Sequence, residues 1–233
     1  MSKSLTAFVA TKGQELAIDD NRMADALTET VGDTSTGNQG ITYLNFSGKL
    51  GRYSLGKDKE NVGPEQVFLL EPLSVFRGWQ CWKNSKPVDK FKWSVYAPDN
   101  AVDESDLPDH GPYRQTHGEG WKKMVGFGVV DLDDGRQIEF STDSVSGRNA
   151  VSALLDEISQ RARSGDPTIP LVKFQSEEFI AQEQKNYKPK LEVEVWVTRE
   201  QAVAAFSDDV PYTVDDLLEG KKLTAAQKKK VAA

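Results

Sequence analysis

The sequence predicts a mainly β protein with a few helices, an α+β chain centred on a small curled barrel of strands with one inserted helix. Three observations predict this. Several short stretches alternate apolar and polar residues with period two, the pattern of half-buried strands. The plainest case is Leu191, Val193, Val195 and Val197, set between Glu192, Glu194 and Trp196. Gly48, Gly51 and Gly56 fall where a strand must bend or bulge to turn the corner of a barrel. Within the β region one stretch, Asn149 to Arg163, carries helical spacing, with Val151, Leu154, Leu155, Ile158 and Ala162 at steps of three and four.

Residues 1–40 read as an N-terminal extension and linker. They hold no tryptophan or tyrosine and one phenylalanine, Phe8. Leu16, Met23, Ala24, Leu27 and Val31 share one face of a helix. The stretch from Gly32 to Gly40 is a linker by composition, without the Gly-Lys-Ser/Thr of a phosphate-binding loop. Residues 41–198 carry the strands. Ile41 to Leu55 predicts a strand pair broken at Ser47-Gly48, and Val67 to Leu70 a short apolar strand. Residues 76–96 predict a hairpin, and residues 97–120 a long polar loop of the kind that is usually functional or disordered. Trp121 to Leu132 and Gln137 to Ser141 predict a second hairpin around Asp133-Asp134-Gly135, where glycine supplies a positive φ. Ser164-Gly165-Asp166-Pro167 stops the helix, and Ile169 to Phe174 is a strand. Residues 199–233 read as a flexible acidic and basic tail, with short helical segments at Arg199–Phe206 and Thr213–Gly220 and Lys228, Lys229 and Lys230 near its end. No internal repeat is present. Short strands with one inserted helix fit several barrel or α+β arrangements; an OB-like barrel is one of them.

The densest chemistry lies between Phe76 and Trp93, which holds Trp79, Trp82 and Trp93 with Arg77, Lys83, Lys86, Lys90 and Lys92, against the single acid Asp89. Lys83-Asn84-Ser85-Lys86-Pro87 is turn chemistry. On the returning strand Phe91, Trp93 and Val95 share one face and Lys90, Lys92 and Ser94 the other. Rings beside cations suit a single-stranded nucleic acid, because rings stack on bases and cations track phosphates. An ordinary hairpin, with tryptophans in the core and lysines in water, fits the same pattern.

The chain has 233 residues and a net charge of −7, so it is not basic overall. The sign is uneven. Residues 41–93 carry Lys49, Arg52, Lys57, Lys59, Arg77, Lys83, Lys86, Lys90 and Lys92 against Asp58, Glu60, Glu65, Glu71 and Asp89. Residues 97–120 carry Asp99, Asp103, Glu104, Asp106, Asp109 and Glu119 against Arg114 alone. A cationic segment in an acidic protein permits a local anionic partner. One cysteine, Cys81, excludes an intrachain disulfide, and Cys81, His110 and His117 do not have zinc-site spacing. No apolar run approaches the roughly 20 residues of a membrane span, and the N-terminus lacks an apolar signal core, so no membrane partner and a cytoplasmic location are expected. Asp131, Asp133, Asp134 and Glu139 cluster in sequence as the carboxylates of a metal-dependent nuclease do, but no lysine follows Glu139 at a nuclease-like spacing, and hairpin-turn chemistry explains the Asp-Asp-Gly run more simply. Gly126-Phe127-Gly128 lacks a dinucleotide fingerprint, and neither histidine neighbours a nucleophile, except that His110 and His117 share a loop with Tyr113. No enzymatic activity, metal or cofactor is expected.

Two resemblances add to this. Asp208-Asp209-Val210-Pro211-Tyr212 resembles the acidic C-terminal tip of bacterial and phage single-stranded-DNA-binding proteins, in which acids followed by an Ile-Pro-Phe type ending dock on replication and repair enzymes. In that family the motif ends the chain, whereas here residues 213–233 follow it. The order of Tyr43-Leu-Asn-Phe-Ser-Gly-Lys49, Gly78-Trp-Gln-Cys-Trp-Lys83, Gly120-Trp121 and Tyr187-Lys-Pro189 is similar to a group of tailed-bacteriophage proteins, some read as single-stranded-DNA-binding. That similarity spans roughly residues 41–198 and implies an OB-type fold and a role in phage DNA replication, recombination or repair, in the cytoplasm of an infected bacterium.

The expected function is sequestration of single-stranded DNA. Tyr43, Tyr53, Trp79, Trp82, Trp93 and Trp121 are the candidate stacking residues. Arg52, Lys57, Arg77, Lys83, Lys86, Lys90, Lys92, Lys122 and Lys123 are the candidate phosphate contacts. A regular strand puts Trp79 and Trp82 on opposite faces, and Trp79, which shares a face with Arg77, is the preferred one. Asp208, Asp209, Val210, Pro211 and Tyr212 are the candidate docking residues for a replication or recombination enzyme. A homodimer is left open. The alternative is a non-enzymatic phage protein-interaction or virion-associated module, with the acidic loop and the tail as its working parts.

Overall fold

A computed structural model of the chain describes residues 42–181, 183–207 and 209–232. The N-terminal extension, its expected helix and linker, and Asp208 lie outside the described residues. The strands are β1 (Thr42–Ser47), β2 (Arg52–Leu55), β3 (Glu60–Asn61), β4 (Val67–Lys83), β5 (Lys86–Ser94), β6 (Gly120–Asp131), β7 (Gln137–Thr142), β8 (Ile169–Ala181) and β9 (Gln184–Val197). The helices are α1 (Val145–Ser164), α2 (Arg199–Ala205), α3 (Val214–Leu218) and α4 (Ala225–Val231). The strands form one sheet in the order β3-β2-β1-β7-β6-β4-β8-β9, with β5 also paired to β4. Among the described residues all pairings are antiparallel except β1 with β7.

β4 is the spine. Residues expected to form a short strand at Val67–Leu70 and a separate hairpin arm are one continuous strand. Its first part pairs with β6 on one side and β8 on the other, and its second part with β6 and β5. The register breaks between Glu71 and Phe76, at Pro72, which has no N–H to give a ladder. Ser74 fills the gap: its hydroxyl accepts from the Gly128 N–H at 2.7 Å and donates to the Glu71 carbonyl at 2.5 Å. The change of edge partner at this bend lets one strand serve both the barrel and the hairpin.

The sheet curls into a half-barrel because the β1–β2 hairpin returns to β8 and β9. The Tyr53 hydroxyl donates to the Gln175 carbonyl (3.2 Å), the Ser176 hydroxyl to the Gly51 carbonyl (2.9 Å) and the Tyr187 N–H to the Gly48 carbonyl (2.9 Å). The interior is aromatic. Phe68, Phe127, Phe140, Phe174 and Tyr53 form a connected set of rings, closed by Val151, Leu154 and Ile158 of α1. α1 begins four residues before the expected Asn149, because Ser144 caps it by accepting from the Gly147 N–H; Gly165, with φ of 72°, ends it.

The C-terminal residues are not a free tail. The outer side of β4, β6, β8 and β9 presents Leu69, Val130, Leu171 and Val197. Ala202, Ala204, Phe206, Val210, Tyr212, Leu217 and Leu223 cover them in a second core. Thr198, Thr213 and Thr224 start the three short helices, each with a reciprocal side-chain bond from the third residue in. Composition concealed this, because small and polar residues in three short helices carry few apolar side chains each. β8 and β9 also extend beyond the expected strands, as a two-stranded ribbon that shows Phe179 and Ile180 to solvent. No helix among the described residues is long and apolar enough to cross a membrane.

Candidate nucleic-acid interface

Asn84 and Ser85 have φ of 52° and 60°, the two left-handed residues that a tight two-residue hairpin turn requires. The turn sets the register of β4 against β5: Arg77 faces Trp93, Trp79 faces Phe91 and Cys81 faces Asp89. On the other side Trp79 faces Lys123 and Cys81 faces Trp121 of β6. Alternation then sorts the side chains. Arg77, Trp79, Phe91, Trp93, Trp121 and Lys123 lie on the inner face, continuous with the core through Val125 and Phe127. Phe76, Gln80, Trp82, Lys90, Lys92 and Lys122 lie on the outer face. The expected opposition of Trp79 to Trp82, and of the Phe91 face to the Lys90 face, is what the strands show.

The outer face is an internal ion-pair site. Lys90 and Lys92 reach across β4 and β6 and place both ammoniums 2.8 Å from the carboxylate of Glu139 on β7. Gly126 lets the Phe76 ring and the Phe140 carbonyl oxygen approach the sheet here, since a Cβ at Gly126 would lie 2.4 Å from both. Burial pushes the Glu139 carboxyl up, but the two ammoniums outweigh it and hold the group below the ordinary glutamate range. Lys90 also lies 5.6 Å from the ring of Tyr43. The Trp82 indole donates to Asp143 at 2.6 Å.

The inner face is partly covered. The loop between β5 and β6 makes three single turns, at Pro98–Asn100, Glu104–Asp106 and Gln115–His117. It hangs on side-chain donors of the sheet. The Trp79 indole donates to the Val102 carbonyl (2.8 Å) and the Trp121 indole to the Pro108 carbonyl (3.0 Å). Lys83 donates to the His110 (2.5 Å) and Gly111 (3.0 Å) carbonyls, and the His110 ring meets Asp89 at 2.8 Å. At the loop's end Glu119 accepts from Arg114 and from the Asn84 N–H. The Arg114 side chain first, and the backbone N–H groups with it, hold its carboxyl down to about 2.

The nominated residues therefore do not form one surface. Trp79, the preferred stacking residue, is 7% exposed beneath the loop, and Trp82 is the more exposed of the two. Tyr53 is buried among core rings, so it is no stacking candidate. Lys83, Lys90 and Lys92 are engaged internally. Arg52 and Lys57, with Tyr43, belong to the β1–β2 region, where Arg52 lines a cavity of about 370 Å³ and Lys57 and Tyr43 a cleft of about 540 Å³. Between these residues and β5 lie β7, β6 and β4. What the sheet brings together on its inner face is Arg77, Trp93 and Lys123, with Trp79 and Trp121 alongside. Among the described residues no acid pairs with Arg77, Lys86, Lys122 or Lys123, and the Lys123 ammonium lies 5.5 Å from the Trp79 ring. Arg148 of α1 flanks the site, donating to the carbonyls of Lys123 and Asp143.

The nominated docking tip is buried at two of its positions, while Asp209 and Pro211 stay exposed. Val210 and Tyr212 are buried, and the Tyr212 hydroxyl donates to the Lys221 carbonyl at 2.6 Å. From α4, Lys230 donates to the Asp209 carbonyl and Gln227 to the Pro211 carbonyl. Asp131 and Asp134 serve the β6–β7 turn, accepting from the backbone N–H groups of Asp133 and Arg136. Sequence reasoning missed Glu139 as the partner of Lys90 and Lys92. Its alternation with the core residues Ile138 and Phe140 is the signal that puts it on the other face, but nothing local tells which lysines cross two strands to meet it. The chain matches no family model, no curated protein and no solved structure.

Proposed function

We propose that the chain binds single-stranded DNA without chemistry of its own, on the inner face of β5, β4 and β6 at Trp93, Arg77 and Lys123. One observation carries the reading. Two exposed cations without an acidic partner among the described residues, Arg77 and Lys123, stand on the same sheet face as the half-buried indole of Trp93, Arg77 directly across from it. A guanidinium and an ammonium in that setting reach phosphates while the ring stacks on a base. The finer parts of the reading, an OB-type origin of the barrel and a role in phage replication, recombination or repair, rest on the resemblances in the sequence. An OB-fold has five strands and this sheet has nine among the described residues, so the likeness is to a curled sheet with one helix and not to a strand order. The test is a titration of the protein with oligo-dT and with duplex DNA of equal length at several salt concentrations. The reading expects tighter binding of oligo-dT, weakening as salt rises through counterion release. Equal or tighter duplex binding, or no binding at low salt, refutes it.

A further inference from the structure

The loop over the inner face is acidic where a DNA site should be basic. Asp99, Asp103, Glu104 and Asp106 are exposed and pair with no cation among the described residues. The attachment is light. Among the described residues no backbone–backbone hydrogen bond ties residues 98–118 to a strand, and no residue in the loop's three turns is buried. Its ties to the strands run through side chains: Trp79, Trp121 and Lys83, of the kind a single strand uses, with Asp89 meeting the His110 ring and Cys81 donating to the Tyr113 hydroxyl. The carbonyls of Val102, Pro108, His110 and Gly111 satisfy donors that would otherwise face solvent. Segments with few buried apolar contacts and side-chain anchors open at low free-energy cost.

We propose that residues 97–119 form a displaceable acidic cover, and that a single strand entering at Trp93 and Arg77 displaces it to stack on Trp79 and Trp121. This rests on the single-strand reading above. The loop's carbonyls occupy the donors of Trp79, Trp121 and Lys83, so DNA and loop compete for one platform, and the loop's unpaired carboxylates repel a strand bound there. Short strands then bind only the open part, and longer ones gain the covered rings.

Two measurements on the full chain test this. The first is amide hydrogen exchange in residues 97–119, with and without a saturating oligo-dT. The second is oligo-dT affinity of a variant carrying Asp99→Asn, Asp103→Asn, Glu104→Gln and Asp106→Asn. Its control neutralises as many exposed acids elsewhere, Asp156→Asn, Glu157→Gln, Glu200→Gln and Asp215→Asn, so that net charge alone is matched. Asp109 is left intact because it accepts from the Gly111 N–H. Faster exchange in the loop on binding is the expected result, with the loop variant binding about threefold or more tighter than the control, since only charge within a Debye length of the bound strand repels it strongly. Oligo-dT bound with loop exchange unchanged or slowed, or a loop variant no tighter than its control, overturns the cover and leaves the binding reading standing. Binding by the loop variant alone supports the cover. No binding by the parent or either variant refutes the binding reading, and the cover with it.

Discussion

Leu217→Ala tests whether the C-terminal helices are part of the fold. Leu217 is fully buried in the second core, on a helix of five residues. α2 and α4 have seven residues each, and helices this short do not persist alone in water, so their order depends on docking. Removing a buried leucine side chain and leaving its cavity costs about 2–5 kcal/mol. In a chain of this size each kcal/mol shifts Tm by roughly 2–4 °C, so the variant should melt roughly 4–20 °C below the parent. The assay is a thermal melt followed by circular dichroism, with Val145→Ala, at an exposed position, as a control that should stay within about 0.5 kcal/mol of the parent. A Leu217→Ala variant that melts with the parent would mean that residues 207–232 do not pack on the sheet. The same geometry predicts that truncation after Phe206 leaves Leu69, Val130 and Leu171 short of cover and lowers solubility, a liability of exposed apolar patches.

Trp79→Ala removes a buried ring and the donor that holds Val102, so it should lose about 3–5 kcal/mol of stability in a denaturant titration; a loss below about 1 kcal/mol contradicts the placement. Gly126→Ala sets a methyl against a backbone carbonyl and the Phe76 ring, and a Tm lowered by about 1–3 kcal/mol of overpacking is expected; an unchanged melt contradicts the close approach. Glu119 and Glu139 both have folded-state values depressed from the ordinary value near 4.5, Glu119 to about 2. Their stabilisation is therefore present above about pH 4.5 and lost as pH falls toward about 2. Tm should drop across that window, with a smaller drop in Glu119→Gln. A Tm independent of pH there would rule out the depressed carboxyls.

Much of the architecture is legible from local pattern. Asp133-Asp134-Gly135, Asn84-Ser85 and the Val151–Ala162 spacing each determine their own turn or helix, and strand alternation separates Trp79 from Trp82. Long-range pairing is not legible. The bend at Pro72 that hands β4 from β8 to β5, and the reach of Lys90 and Lys92 to Glu139, depend on which strands become neighbours. Burial of Trp79 depends on where a polar loop lands. Val210 and Tyr212 read as an exposed tip because their cover comes from Leu223 and from residues in short helices, whose apolar faces have too few residues to register as a period.

The binding claim is tested most directly by the oligo-dT affinity of Trp93→Ala, measured by anisotropy at low salt beside a parent of known affinity, with a melt to establish that the variant is folded. Loss of one stacking ring costs about 1–3 kcal/mol, so affinity should fall by about 5- to 150-fold, and Arg77→Glu should lower it further. A folded Trp93→Ala variant that binds oligo-dT as tightly as the parent would contradict the inner face as the binding surface.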